Sequence, residues 1–172
     1  MKTVALRAPV LTQSGYGVHS RQVARWLINL AEQGKIKLSI QSVPWGDTTW
    51  LLDRSDLDGL VGKLMEYSTG NLPKQDVSFQ VILPNEWDSN LANYNVGMTA
   101  AIETDKCNPA WLNDLSRVSE VIVPSLHAKK SFTNTGNVSN NITVIPESFP
   151  DDLRKDSKDV FDFETDFNLL VF

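Results

Sequence analysis

Cysteine is almost absent. The chain of 172 residues has only Cys107, so no internal disulfide can form, and a reduced, cytoplasmic protein is the simplest expectation. Histidine is scarce too. His19 and His127 lie far from each other and from Cys107 in sequence, which gives no metal-ligand spacing. No apolar run approaches the roughly 20 residues of a membrane-spanning helix. The N-terminal apolar stretch is short, is broken by Arg7 and does not read as a secretory signal. Without such a signal, the Asn-x-Ser/Thr matches at Asn137 and Asn141 carry no weight. Positive charge is not in excess. A net charge of -5 weighs against a nucleic-acid partner, whose affinity would come mostly from neutralised phosphates. No G-x-S-x-G elbow is present, so a Ser-His-Asp hydrolase has no support.

What is present suits one globular core. Apolar residues make up 41% and charged residues 22%, enough to bury a core and too apolar for disorder. Thr3 to Ala8 reads as a buried strand, Pro9 to Gly15 as a loop and Gly17 to Gln33 as a helix. Within that helix Val23, Leu27, Leu30 and Ala31 share one face. Leu38 to Val43 follows as a strand, which completes a βαβ unit. Farther on, helices are expected over Asp56 to Tyr67, Pro109 to Leu115 and Ser125 to Phe132. Strands are expected over Val77 to Leu83, Asn93 to Thr99, Glu120 to Val123 and Ile142 to Ile145. This alternation calls for an α/β fold, a three-layer αβα domain with a mainly parallel sheet.

Four segments could carry chemistry. Ser14-Gly15-Tyr16-Gly17 lies between the first strand and helix, where free N–H groups and the helix dipole favour an anion. His19 follows in the first turn. The same glycines could equally serve a tight turn, since neither GxGxxG nor a P-loop is present. Glu103-Thr104-Asp105 follows a strand-like run. Its carboxylates could bind or activate a substrate hydroxyl, or simply cap a helix. Pro84-Asn85-Glu86-Trp87 also follows a strand, and Trp87 could stack on a sugar ring or pack the loop. In Val123-Pro124-Ser125, the serine is placed to cap the next helix, while Lys129 or Lys130 could face a phosphate or stay solvated.

In their order along the chain, these segments resemble the N-terminal domain of retaining glycosyltransferases of the GT-B fold, the glycosyltransferase family 4 type. The resemblance rests on Ser14 to His19 with Arg21, Ala24 and Leu27. It rests also on Asn95 to Asp105, on Glu120 to Ser125 with Lys129 and Phe132, and on Val144 to Phe149. It implies a Rossmann-like half of a GT-B enzyme over residues 1–150 and an acidic crossover linker over 151–166. Residues 167–172 would begin a C-terminal donor-binding domain. That second domain would grip the nucleotide-sugar, a co-substrate, and no cofactor or metal is implied. Glu103 and Asp105 would be catalytic residues in the cleft near a glycan or other hydroxyl acceptor. Gly15, Tyr16, Gly17, His19, Asn85, Glu86, Thr104, Ser125 and Lys129 would serve binding, with Gly15 and Gly17 bordering the donor phosphates. A dimer or partner chain would cover the interdomain face. The resemblance also leads us to expect Glu103→Gln to abolish transfer with the fold intact, and Gly17→Val to impair donor use more than stability. A free-standing Rossmann-like binding module, non-enzymatic or acting with a separate chain, is the alternative reading.

Overall fold

The computed structural model describes residues 1–70, 72–100, 104–138 and 141–149. Glu103, the proposed linker over 151–166 and the proposed strand over 167–172 lie outside them. Strands β1 (Lys2–Ala8), β2 (Ile36–Ser42), β3 (Gln75–Val81), β4 (Ala92–Met98), β5 (Glu120–Val123) and β6 (Ile142–Val144) form one sheet. Their order is β2-β1-β3-β4-β5-β6, and every pair is parallel. Among the described residues four helices flank it: α1 (Gly15–Glu32), α2 (Leu60–Tyr67), α3 (Trp111–Asp114) and α4 (Leu126–Thr135). The expected Rossmann-like three-layer α/β fold is therefore present.

Strand alternation explains the layers. Val4, Leu6, Ala8, Leu38 and Ile40 share a face of the sheet with Val81 and pack there against Ala24, Leu27 and Ile28 of α1 and Leu60, Val61 and Leu64 of α2. The other face presents Val121, Val123 and Ile142 to Ala128 and Phe132 of α4 and to Leu115. Beyond the outer edge of β2, Ser68 forms a single parallel bridge with Ile40, and the Thr69 N–H donates to the Ile40 carbonyl at 3.0 Å. That bridge stands where a third strand would run. Counting it, the order in chain sequence becomes 3-2-1-4-5-6-7, which is the 3-2-1-4-5-6 order of dinucleotide-binding sheets with one strand more at the β6 edge, and the winding reverses between β1 and β3. Ligands in such sheets bind outside the carboxyl ends of the strands, at this reversal.

Several boundaries differ from expectation for local reasons. Helix α2 starts at Leu60, not Asp56, because Leu57, Asp58 and Gly59 all have positive φ (53°, 58° and 80°). A short 3-10 turn, Leu115–Arg117, continues α3. Helix α1 starts earlier than expected, since Ser14 is already its N-cap. The supposed glycine loop is thus the cap and first turn of the helix.

The turn into α1 is tightly built. Thr12 has one hydroxyl proton, which it donates to the Pro9 carbonyl at 3.0 Å. Ser14 Oγ, 2.8 Å from Thr12 Oγ1, must therefore be the donor of that pair. Ser14 Oγ in turn accepts from the Gly17 N–H at 2.9 Å. The buried Arg21 Nη1 donates to the carbonyls of Val10 and Thr12 at 3.1 and 2.8 Å. Gly17 faces this knot. A Cβ there would collide with the Thr12 carbonyl and lie 2.9 Å from Thr12 Oγ1. Gly17→Val therefore carries a stability cost of its own, because even one methyl must displace the β1–α1 turn. Gly17→Ala is expected to destabilise by about 1–3 kcal/mol. Each kcal/mol should lower Tm by about 2–4 °C in calorimetry of a chain this size.

Candidate functional site

The turn sets the first residues of α1 at the carboxyl end of the sheet, beside the points where β4 and β6 end. There Gly15, Tyr16, His19, Ala100 and Glu147 line a cleft of about 230 Å³. Gly15 leaves open space around its Cα. Tyr16 is held in place from two sides. Its hydroxyl accepts from the Ala100 N–H at 3.0 Å and lies 2.9 Å from Thr99 Oγ1. Its ring stacks on Trp45 with centroids 4.0 Å apart and 19° between planes. These contacts tie the start of α1 to the end of β4 and give the cleft a rigid wall.

His19 is mostly buried, and its Nδ1 has no hydrogen bond. Oε2 of Glu147 lies 3.7 Å from it, outside hydrogen-bond range. Burial lowers the imidazole pKa below its ordinary value, and the Glu147 carboxylate opposes that shift. The imidazole is therefore neutral at pH 7. A neutral ring offers one N–H and one lone pair. The half-exposed carboxylate adds a second acceptor. This arrangement can accept hydrogen bonds from ligand hydroxyls.

Only some expected site residues meet here. Gly15, Tyr16 and His19 do; Gly17 instead packs against Thr12. Asn85 and Glu86 are exposed on a 3-10 turn after β3, where the Asn85 carbonyl accepts from Arg117 Nη1 at 3.0 Å. Trp87 beside them is 2% exposed. Its ring would lie 2.5–2.8 Å from a Cβ at Gly97, so this tryptophan packs the loop and Gly97 makes room for it. Buried Gln80 fixes the same loop, with Nε2 donating to the Asp88 carbonyl and Oε1 accepting the Asp88 N–H, both at 2.8 Å.

Thr104 and Asp105 are exposed. They are tied to α4: the Thr104 carbonyl accepts from Ser131 Oγ at 2.8 Å and the Asp105 carbonyl from Asn134 Nδ2 at 3.1 Å. Ser125 caps α4, accepting from the Ala128 N–H at 3.1 Å. Lys129 donates to the Ile142 carbonyl at 2.7 Å, at the amino end of β6 and so away from the cleft. Cys107 is buried and free. Among the described residues no group of three or more His, Cys, Asp or Glu could hold a metal, and no helix is long and apolar enough to cross a membrane.

Glu147 and Trp45 carry little signal in the sequence. A carboxylate three residues past a strand was the available cue for Glu147, and it is shared by many ordinary loops. No protein-family model, curated protein or solved structure matches the chain.

Because His19 is buried neutral, protonating it favours the unfolded chain. Its share of stability is complete above the ordinary value of 6.5 and is lost as pH falls through the lower folded-state value. Chemical denaturation between pH 8 and 5 should show that loss, and His19→Gln should reduce it. An unchanged pH profile in the variant would contradict the assignment.

Proposed function

We propose that the chain is the acceptor-side domain of a GT-B type glycosyltransferase, which moves a sugar from a nucleotide-sugar to a hydroxyl of a glycan or smaller acceptor. The observation that carries this reading is the cleft at the carboxyl ends of the strands, where neutral His19 and Glu147 offer hydrogen-bond acceptors beside the open start of α1. The Rossmann-like strand order and the ordered sequence resemblance support it. Donor recognition then falls mainly to a second domain. His19 and Glu147 hold the acceptor hydroxyl, and the rigid Tyr16 wall fixes its approach. The resemblance gives Glu103 and Asp105 a catalytic role; Glu103 lies outside the described residues, and Asp105 is exposed beside α4. In the transfer, the bond between the anomeric carbon and the donor phosphate breaks, and the acceptor oxygen forms the new bond there. The hydroxyl proton leaves to a base, for which neutral His19 has the lone pair.

The reading is tested by NMR with free methyl glycosides and, separately, nucleotides. Glycosides should shift the amides of Gly15, Tyr16 and Ala100 and the ring resonances of His19. A free nucleotide that binds this cleft while every glycoside fails would point to an unrelated nucleotide-binding α/β protein. Glycoside binding with no transfer by the full-length protein, given a panel of nucleotide-sugars, would favour a binding module.

A further inference from the structure

Beside the cleft runs a second concavity of different character. Val23 and Trp26 of α1, Phe79 of β3, Met98 of β4, Ile122 of β5 and Ile145 line a groove of about 260 Å³. All six are apolar. Trp26 and Ile145 are 51% and 50% exposed, and the Trp26 ring meets Phe79 edge-on with centroids 5.5 Å apart.

The strand register explains why the groove is open. Phe79 pairs with Val96, and Met98 with Ile122, so Phe79, Met98 and Ile122 lie on the sheet face that α1 and α2 cover over β1 and β2. Helix α4 packs on the opposite face. Among the described residues no helix covers β4 and β5 on this side, although a parallel sheet is ordinarily covered on both.

The groove and the cleft are joined. A shallow depression connects them, its lining shared with both (His19, Val23, Trp26, Met98 and Ile145) and including the polar Gln22 and Ser148. Val23, Trp26, Met98 and Ile145 also line the groove, and His19 also lines the cleft. Polar acceptors thus lie at one end and a purely apolar trough at the other. A ligand that matches both is an amphiphile, with hydroxyls at one end and a hydrocarbon chain at the other.

We propose that the acceptor is a lipid-like glycoside or alcohol, its hydroxyl headgroup in the cleft and its alkyl chain in the groove. This rests on the acceptor reading of the cleft and adds the chemical class of the acceptor. Contact with Trp26, Met98 and Ile145 contributes affinity through burial of the chain, in proportion to the methylenes covered.

The test is a series of alkyl β-glucosides from methyl to octyl, each below its micellar concentration, titrated into the full chain by calorimetry. The methyl groups of Met98, Ile122 and Ile145 are followed by NMR in parallel. Each methylene that enters the groove should tighten binding by about fourfold until the groove is full. Trp26→Gln and Ile145→Ser, both at half-exposed positions, should each flatten this dependence. Binding of methyl glucoside at Ala100 and His19 with no chain-length effect overturns the lipid proposal and leaves the acceptor reading standing. Octanol that fills the groove while no glucoside perturbs the cleft overturns the acceptor reading and the proposal with it. A dimer that buries the groove and excludes octyl glucoside likewise overturns the proposal, as does a chain-length effect that survives both substitutions.

Discussion

One buried guanidinium organises the end of the sheet where the cleft lies. Arg21 projects from α1 into the turn after β1 and donates to two carbonyls, those of Val10 and Thr12. Buried carbonyls without a donor each cost about 1–3 kcal/mol, so the turn depends on this side chain. Arginine suits the place because its charge persists even though burial lowers its pKa. The close approach that results is possible only because residue 17 lacks a Cβ. Ser14 then finds the Gly17 N–H, and α1 starts where it does.

Everything at the cleft follows from that starting point. Gly15, Tyr16 and His19 occupy the first turns of α1, so their positions are set by the cap. Tyr16 ties this helix to Thr99 and Ala100 beyond β4, while His19 faces Glu147 beyond β6. Three separate stretches of chain are thereby brought to one place without any one of them holding a recognisable motif. The chemistry is modest: a neutral imidazole, a carboxylate and a rigid phenol wall. It suits holding a hydroxyl more than gripping a phosphate, since among the described residues no lysine or arginine lines this cleft.

The regular elements were legible because their patterns are strong. Glu120–Val123 is a short apolar run stopped by Pro124, and its bounds matched. The apolar stripe on α1 announces a helix but points to Gly17, two residues past its start at Gly15. Two glycines look like a loop, but here one of them serves a close approach inside a helix. The apolar spacing of α2 continues back through Leu57, where backbone φ turns positive, so the pattern is longer than the helix. The site was less legible. Gly15, Tyr16 and His19 are candidates by their place after a strand, and they line one cleft. Lys129 was not separable from a ligand-facing lysine, because only the fold shows the Ile142 carbonyl beside it. Glu147 meets His19 only in three dimensions, and sequence spacing holds no record of that pair.

The most direct measurement is a titration of the two histidines by NMR, with and without a bound glycoside. His127 is exposed and serves as an internal reference. The account predicts that His19 titrates below the ordinary value of 6.5 and that glycoside shifts its ring resonances while those of His127 stay fixed. A His19 that titrates like a solvated imidazole and ignores every glycoside would contradict it.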